Sequence, residues 1–103
     1  MSAFAVVADP TRRRILDELL EGEQPVNALV ERLQMSQPSV SKHLKVLRDA
    51  GLVAVRVDRQ SRKYRLQAEP LAEIEQWLAP YRTFWTGRLD ALERHLDEEA
   101  SDG

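Results

Sequence analysis

Ser36-Gln37-Pro38-Ser39-Val40-Ser41-Lys42-His43-Leu44-Lys45-Val46-Leu47-Arg48-Asp49-Ala50-Gly51-Leu52-Val53 is the stretch whose reading decides the fold. Serine suits the residue before a helix, because its side-chain oxygen accepts a backbone amide that has no other partner. Pro38 fits the first turn, where no N–H donor is needed. Val40, Leu44 and Leu47 then recur at spacings of four and three, so they share one face of a helix over about 36–50. Gly51 suits the left-handed position that closes such a helix. With the apolar face inward, steps of about 100° per residue turn Pro38, Ser41, Lys42 and Lys45 outward and put Gln37, Ser39 and His43 on the flanks.

Upstream, Val26, Leu29, Val30 and Leu33 predict a shorter helix opened by Pro25, over about 25–33, joined to the first by only a few residues. Before that, Asp9-Pro10 reads as a cap and first helical residue. Ile15, Leu16, Leu19 and Leu20 supply the apolar face, and Gly22 marks the end. Phe4, Val6 and Val7 indicate a short N-terminal helix or arm with something to bury.

Downstream the period changes to two. Val53, Val55 and Val57 alternate with Ala54 and Arg56, Asp58-Arg59-Gln60-Ser61 is turn-like, and Lys63-Tyr64-Arg65-Leu66 alternates again. This predicts a basic hairpin over 53–67 that must lean on the helices, since two strands alone are marginal. From Pro70 a long helical stripe follows: Leu71, Ile74, Leu78, Tyr81, Trp85, Leu89, Leu92 and Leu96, widened by Trp77 and Phe84. Pro80 lies inside it and should kink or split the helix. The stripe stays in phase across Pro80, which favours a kink. The expected class is mainly α with a small β-hairpin, a winged helix-turn-helix of order α-α-α-α-β-β-α. Residues 1–97 form the domain, and 98–103 are expected to be a frayed tail.

The chain has 103 residues, of which 43% are hydrophobic, enough for a small core that a partner subunit would enlarge. It has no cysteine, which excludes disulfides and thiolate metal sites within it. There is no membrane-length apolar run, and Met1 to Asp9 lacks the basic segment of a secretory signal, so a cytoplasmic protein is expected. The net charge of −2 conceals an uneven distribution. Residues 36–65 hold eight basic and two acidic residues, whereas 66–103 hold three basic and nine acidic. A cationic block in an acidic chain is a candidate polyanion footprint; a solvated charged surface is the plainer reading.

The outward residues suit duplex DNA. Glutamine can pair bidentately with adenine, and serine or lysine can bond base edges or phosphates. The candidate DNA contacts are Gln37, Ser39, Ser41, Lys42, His43 and Lys45 from the helix, and Arg59, Arg62 and Lys63 from the hairpin. His43 has two readings, a packed side chain or a phosphate contact. Arg12 and Arg13 are either additional phosphate contacts or solvent-facing surface.

The quoted stretch, Ala8-Asp9-Pro10-Thr11-Arg12-Arg13-Arg14-Ile15-Leu16 and Tyr64-Arg65-Leu66 together resemble the ArsR/SmtB family of bacterial regulators over about residues 4–97. The resemblance implies a dimeric winged-helix repressor that binds an imperfect palindrome, with its N- and C-terminal helices building the dimer. Two features depart from the family. Its wing turn usually carries a glycine, absent from Asp58-Arg59-Gln60-Ser61. The metal ligands of its founding members are also missing, which places the chain nearer the metal-free branch and leaves room for a small-molecule effector of unknown identity. Asp90 and His95, five apart, share a helical face poorly; a carboxylate–histidine site between subunits stays open in principle. No metal or cofactor is expected.

A helix of about 26 residues is near 40 Å long, more than three short helices can cover. Phe4, Leu71, Trp77, Tyr81, Phe84, Trp85, Leu89, Leu92 and Leu96 are therefore candidates for a homodimer seam, the alternatives being packing within the chain or a ligand pocket between subunits. Two other classes compete with a DNA-binding regulator. A protein-binding module would favour aromatics over Lys and Ser on the exposed helix. An enzyme would need a nucleophile, base and orienting group, and no such set is visible.

Overall fold

The computed structural model describes the backbone from Ser2 to Asp102 and the side chains to Glu99. Five helices and three strands run in the order α1 (Ala3–Val7), α2 (Pro10–Leu19), β1 (Gln24–Pro25), α3 (Val26–Leu33), α4 (Gln37–Asp49), β2 (Val53–Asp58), β3 (Ser61–Leu66) and α5 (Ala72–Asp102). A 3-10 turn at Glu69–Leu71 precedes α5. Contacts divide the chain into two units, one reaching Glu73 and the other starting at Ile74.

The helix ends are built as the residue types dictate. The Asp9 carboxylate accepts the amides of Thr11 (2.8 Å) and Arg12 (3.1 Å) at the start of α2. The Arg12 amide above all, with that of Thr11 and the Arg12 charge, holds the Asp9 carboxyl below its ordinary value. Ser36 Oγ accepts the Ser39 amide at the start of α4. At the other end of α4, Gly51 takes a φ of 77°. Its amide donates to the Arg48 carbonyl, and that of Leu52 to the Leu47 carbonyl, both at 2.9 Å. These are the paired bonds of a Schellman cap.

The turn between α3 and α4 uses the same device without glycine. Gln34 stands at φ 54°, its amide donates to Glu31, and the Met35 amide donates to Val30. This cap sets the angle at which α4 leaves α3.

The core of the first unit lies between α1, α2, α3 and α4 and one face of the sheet. Val6, Ile15, Leu29, Val40, Leu44, Leu47, Leu52 and Val53 are almost wholly buried, and Tyr64 joins them from β3. The apolar face read from the α4 periodicity is thus the buried one.

Several details differ from the sequence reading. The hairpin is the larger part of a three-stranded antiparallel sheet of order β1-β3-β2, with Gln24 opposite Tyr64 and Pro25 opposite Lys63. Pro25 therefore ends an edge strand as well as preceding α3. A proline is tolerated at an edge, where no ladder donor is needed. Of the two outcomes expected at Pro80, a split does not occur, as the in-phase stripe favoured: the last helix runs without interruption past it. Nor does that helix end at Asp97: helical backbone continues through 98–102, and a His95–Glu99 pair at 3.0 Å supports the turn. Met1 and Gly103 lie outside the described residues.

Arg12 and Arg13 have a structural task within the chain. Arg12 Nε donates to the Val6 carbonyl (2.6 Å) and Arg13 Nη1 to that of Val7 (2.7 Å), so both satisfy the free carbonyls at the end of α1. Among the described residues, no helix is long and apolar enough to cross a membrane.

Leu44, fully buried on α4, is the direct test of how the recognition surface is held. Leu44→Ala should cost about 2–5 kcal/mol in urea or thermal unfolding. A cost below about 1 kcal/mol would mean that α4 is not anchored by this face.

Candidate nucleic-acid interface

Burial of Val40, Leu44 and Leu47 forces the opposite side of α4 outward. Gln37, Ser41, Lys45 and Arg48, stepping by four, four and three residues, form one exposed row. This row faces the wing across an open groove of about 620 Å³, lined also by Val26, Asp49, Arg62 and Tyr64. The groove continues toward the wing tip as a second hollow of about 370 Å³, which shares Gln37 and Arg62 and adds Asn27, Gln60 and Ser61.

Of the candidate DNA contacts, the structure brings Gln37, Ser41, Lys45 and Arg62 onto the first groove. Lys42 is exposed outside it, and Ser39 is half-buried next to the Ser36 cap. His43 is half-buried on the flank of α4. Arg59 occupies the wing turn, exposed. Arg48 and Tyr64 were not singled out from the sequence. The same helical step that leads from Gln37 to Lys45 reaches Arg48, so its signal was present.

Several cations are held within the chain. Lys45 Nζ donates to Asp49 (3.2 Å) and Lys63 Nζ to Asp58 (3.0 Å). Arg56 grips the Glu23 carboxylate, with Nε at 2.9 and 2.8 Å from the two oxygens and Nη2 at 2.6 Å from one of them. That fork reaches from β2 across β3 to the residue before β1, so it staples the three strands. The Arg56 hydrogen bond lowers the Glu23 pKa, and Glu23 in turn raises that of Arg56.

The wing turn resolves the missing glycine. Asp58 and Ser61 are directly opposite, which leaves a two-residue loop of Arg59-Gln60. Arg59 takes the left-handed conformation at φ 60°, and Gln60 has no positive φ. A two-residue hairpin turn with positive φ at its first central residue usually puts glycine there. Here an arginine accepts the strain and carries its charge to the tip.

Of the candidate seam residues, Phe4 is half-buried on α1 and Leu71 is half-buried against the core of the first unit. The others, Trp77, Tyr81, Phe84, Trp85, Leu89, Leu92 and Leu96, are about half exposed or more along α5. The Trp77 and Tyr81 rings lie 5.1 Å apart, tilted at 46°, and the Arg88 guanidinium sits 4.3 Å over the Phe84 ring. Among the described residues, no three potential metal ligands come together.

An exposed row of amide, hydroxyl and cationic groups on the second helix of a helix-turn-helix, flanked by a basic wing, defines a winged-helix nucleic-acid-binding protein. Residues 9–55 match the family described as "Bacterial regulatory protein, arsR family". The chain is 38% identical over 100 residues to the HTH-type transcriptional regulator Rv2034 of Mycobacterium tuberculosis, covering 97% of this chain and 91% of that one. It is 32% identical to the transcriptional repressor SdpR of Bacillus subtilis, over 75% of this chain and 86% of that protein. Among solved structures, it superimposes on an ArsR-like transcriptional regulator from Rhodococcus with a TM-score of 0.66 at 32% identity, covering 88% of this chain and 86% of the other. The chain belongs to the arsR family of bacterial regulatory proteins: it is a DNA-binding transcriptional regulator and not an enzyme.

Arg59→Gly separates backbone from charge at the wing. It removes a left-handed penalty of about 1 kcal/mol, partly offset by the extra freedom of glycine in the unfolded chain. The melting temperature should hold steady or rise slightly, while affinity for duplex DNA falls. A clear drop in melting temperature would show that the turn is not strained by its side chain.

Proposed function

We propose that the protein is a homodimeric repressor that presents two copies of α4 and its wing to a palindromic operator. The observation that carries this reading is the shared groove, where Gln37, Ser41, Lys45 and Arg48 of α4 face Arg62 of β3. Gln37 and Ser41 have the chemistry to read base edges, while Lys42, Arg59 and Arg62 are placed to neutralise phosphates. Ser39 contributes by its place in the cap, and half-buried His43 stands on the flank of the same helix. The similarity to the repressor SdpR supports negative control of transcription.

The homodimer rests on α5. It has 31 residues and should span about 46 Å at 1.5 Å per residue. Its exposed row includes Trp77 (55%), Phe84 (57%), Leu89 (64%) and Leu92 (53%). So long a row of large apolar side chains marks an association surface. A second copy of α5 is the occupant proposed for it. In the dimer Leu71 serves mainly to fasten the start of α5 to its own core.

Selection of bound duplexes from a random pool tests the function directly. The recovered sites should carry a dyad with half-sites about 10 bp apart or a multiple of that. On such a site, Gln37→Ala and Ser41→Ala should each lose roughly 1–3 kcal/mol and relax preference at particular positions. Arg59→Ala should weaken binding to all sequences alike. Recovery of no preferred sequence would reject the reading.

The dimer has its own test. Leu92→Glu puts a charge in the middle of the row and should give a monomer by light scattering, with operator binding lost. A monomer that still binds tightly would rule out the paired arrangement.

A further inference from the structure

We propose that Asp49 and Asp58 restrain the protein's affinity for duplex DNA of any sequence by holding Lys45 and Lys63 in intramolecular ion pairs. The inference rests on the reading of α4 and the wing as the DNA-binding surface.

Residues 36–65 contain eight cationic side chains and only these two carboxylates. Each carboxylate is paired with a lysine of the candidate surface, Asp49 with Lys45 at 3.2 Å and Asp58 with Lys63 at 3.0 Å. Asp58 also lies 3.9 Å from Arg56, which is already gripped by Glu23. By contrast, Lys42, Arg48, Arg59, Arg62 and Arg65 make no ion pair among the described residues. The surface is thus sorted into cations free to meet phosphate and cations already neutralised.

The position of Asp49 argues against a role in folding. It is the last residue of α4, where the partial negative charge of the helix end disfavours a carboxylate. Its side chain is largely exposed, its hydrogen-bond partner is Lys45, and it lines the same groove. Asp58 flanks the wing turn, opposite Ser61, with its carboxyl kept ionised by Lys63.

Sequence-independent binding to duplex depends on how many phosphates the protein neutralises, because each contact releases counterions. A lysine held by a carboxylate does not enter that count unless the pair opens. Both pairs are partly solvated and weak, so the restraint is graded and not absolute. The effect would keep the protein from being sequestered on bulk DNA, which offers far more sites than any operator.

The test uses the full chain and a 30-bp duplex of random sequence, titrated over a range of salt concentrations. Asp49→Asn and Asp58→Asn should each raise affinity by about threefold or more at low salt. Each should also steepen the slope of log K against log salt by about 0.9 for every added phosphate contact. The Asp49→Asn gain should disappear when Lys45→Gln is added, and the Asp58→Asn gain when Lys63→Gln is added. Unchanged affinity would overturn the proposal. So would a gain with no change in slope, or one that survives loss of the lysine, since either would show simple relief of repulsion. If the unmodified protein retains a preferred site while the variants gain nothing on random duplex, the restraint alone fails. If no variant binds duplex at all, the reading of the surface fails with it.

Discussion

The anchoring of α4 by Val40, Leu44 and Leu47 is the constraint on which the remaining structure depends. A helix of this length has one apolar side, and burying it in the core leaves a single rotational setting. That setting fixes which groups face outward, so Gln37, Ser41, Lys45 and Arg48 become a row because three other residues are inside. The two left-handed caps at Gln34 and Gly51 complete the arrangement, setting how α4 leaves α3 and how the chain turns into β2.

The wing depends on the same core from its other side. Val53 and Tyr64 are buried with α4, so the base of the hairpin is fastened while its tip extends into solvent. The Glu23–Arg56 fork stiffens the sheet across β3 at the cost of one cation that would otherwise face outward. Similar trades recur: Arg12 and Arg13 finish α1, and Lys45 and Lys63 answer nearby carboxylates. Among the described residues of 36–65, the cations left unpaired within the chain are therefore fewer than a count of basic residues suggests, and they are mainly arginines.

α5 represents a different problem. Its apolar row is long and exposed along the helix. The proposed homodimer would bury that row, which runs over a helix of 31 residues.

Periodicity and capping residues were sufficient to read α2, α3, α4 and the hairpin, because each has enough turns or alternations for its buried face to repeat. The outward positions of Pro38, Ser41, Lys42 and Lys45 followed from the same repeat, which put Gln37 on a flank and made Arg48 available. β1 was not legible, since two residues carry no period and Pro25 reads equally as a helix opener. The helical backbone past Asp97 was likewise unreadable, because residues 98–102 present no face. Which cations are paired within the chain, and that Arg59 bears the strain of the wing turn, depended on the tertiary structure. Such pairings join residues whose distance is set only when the chain has folded, whereas a buried helical face is written locally, every three or four residues, in the chain itself.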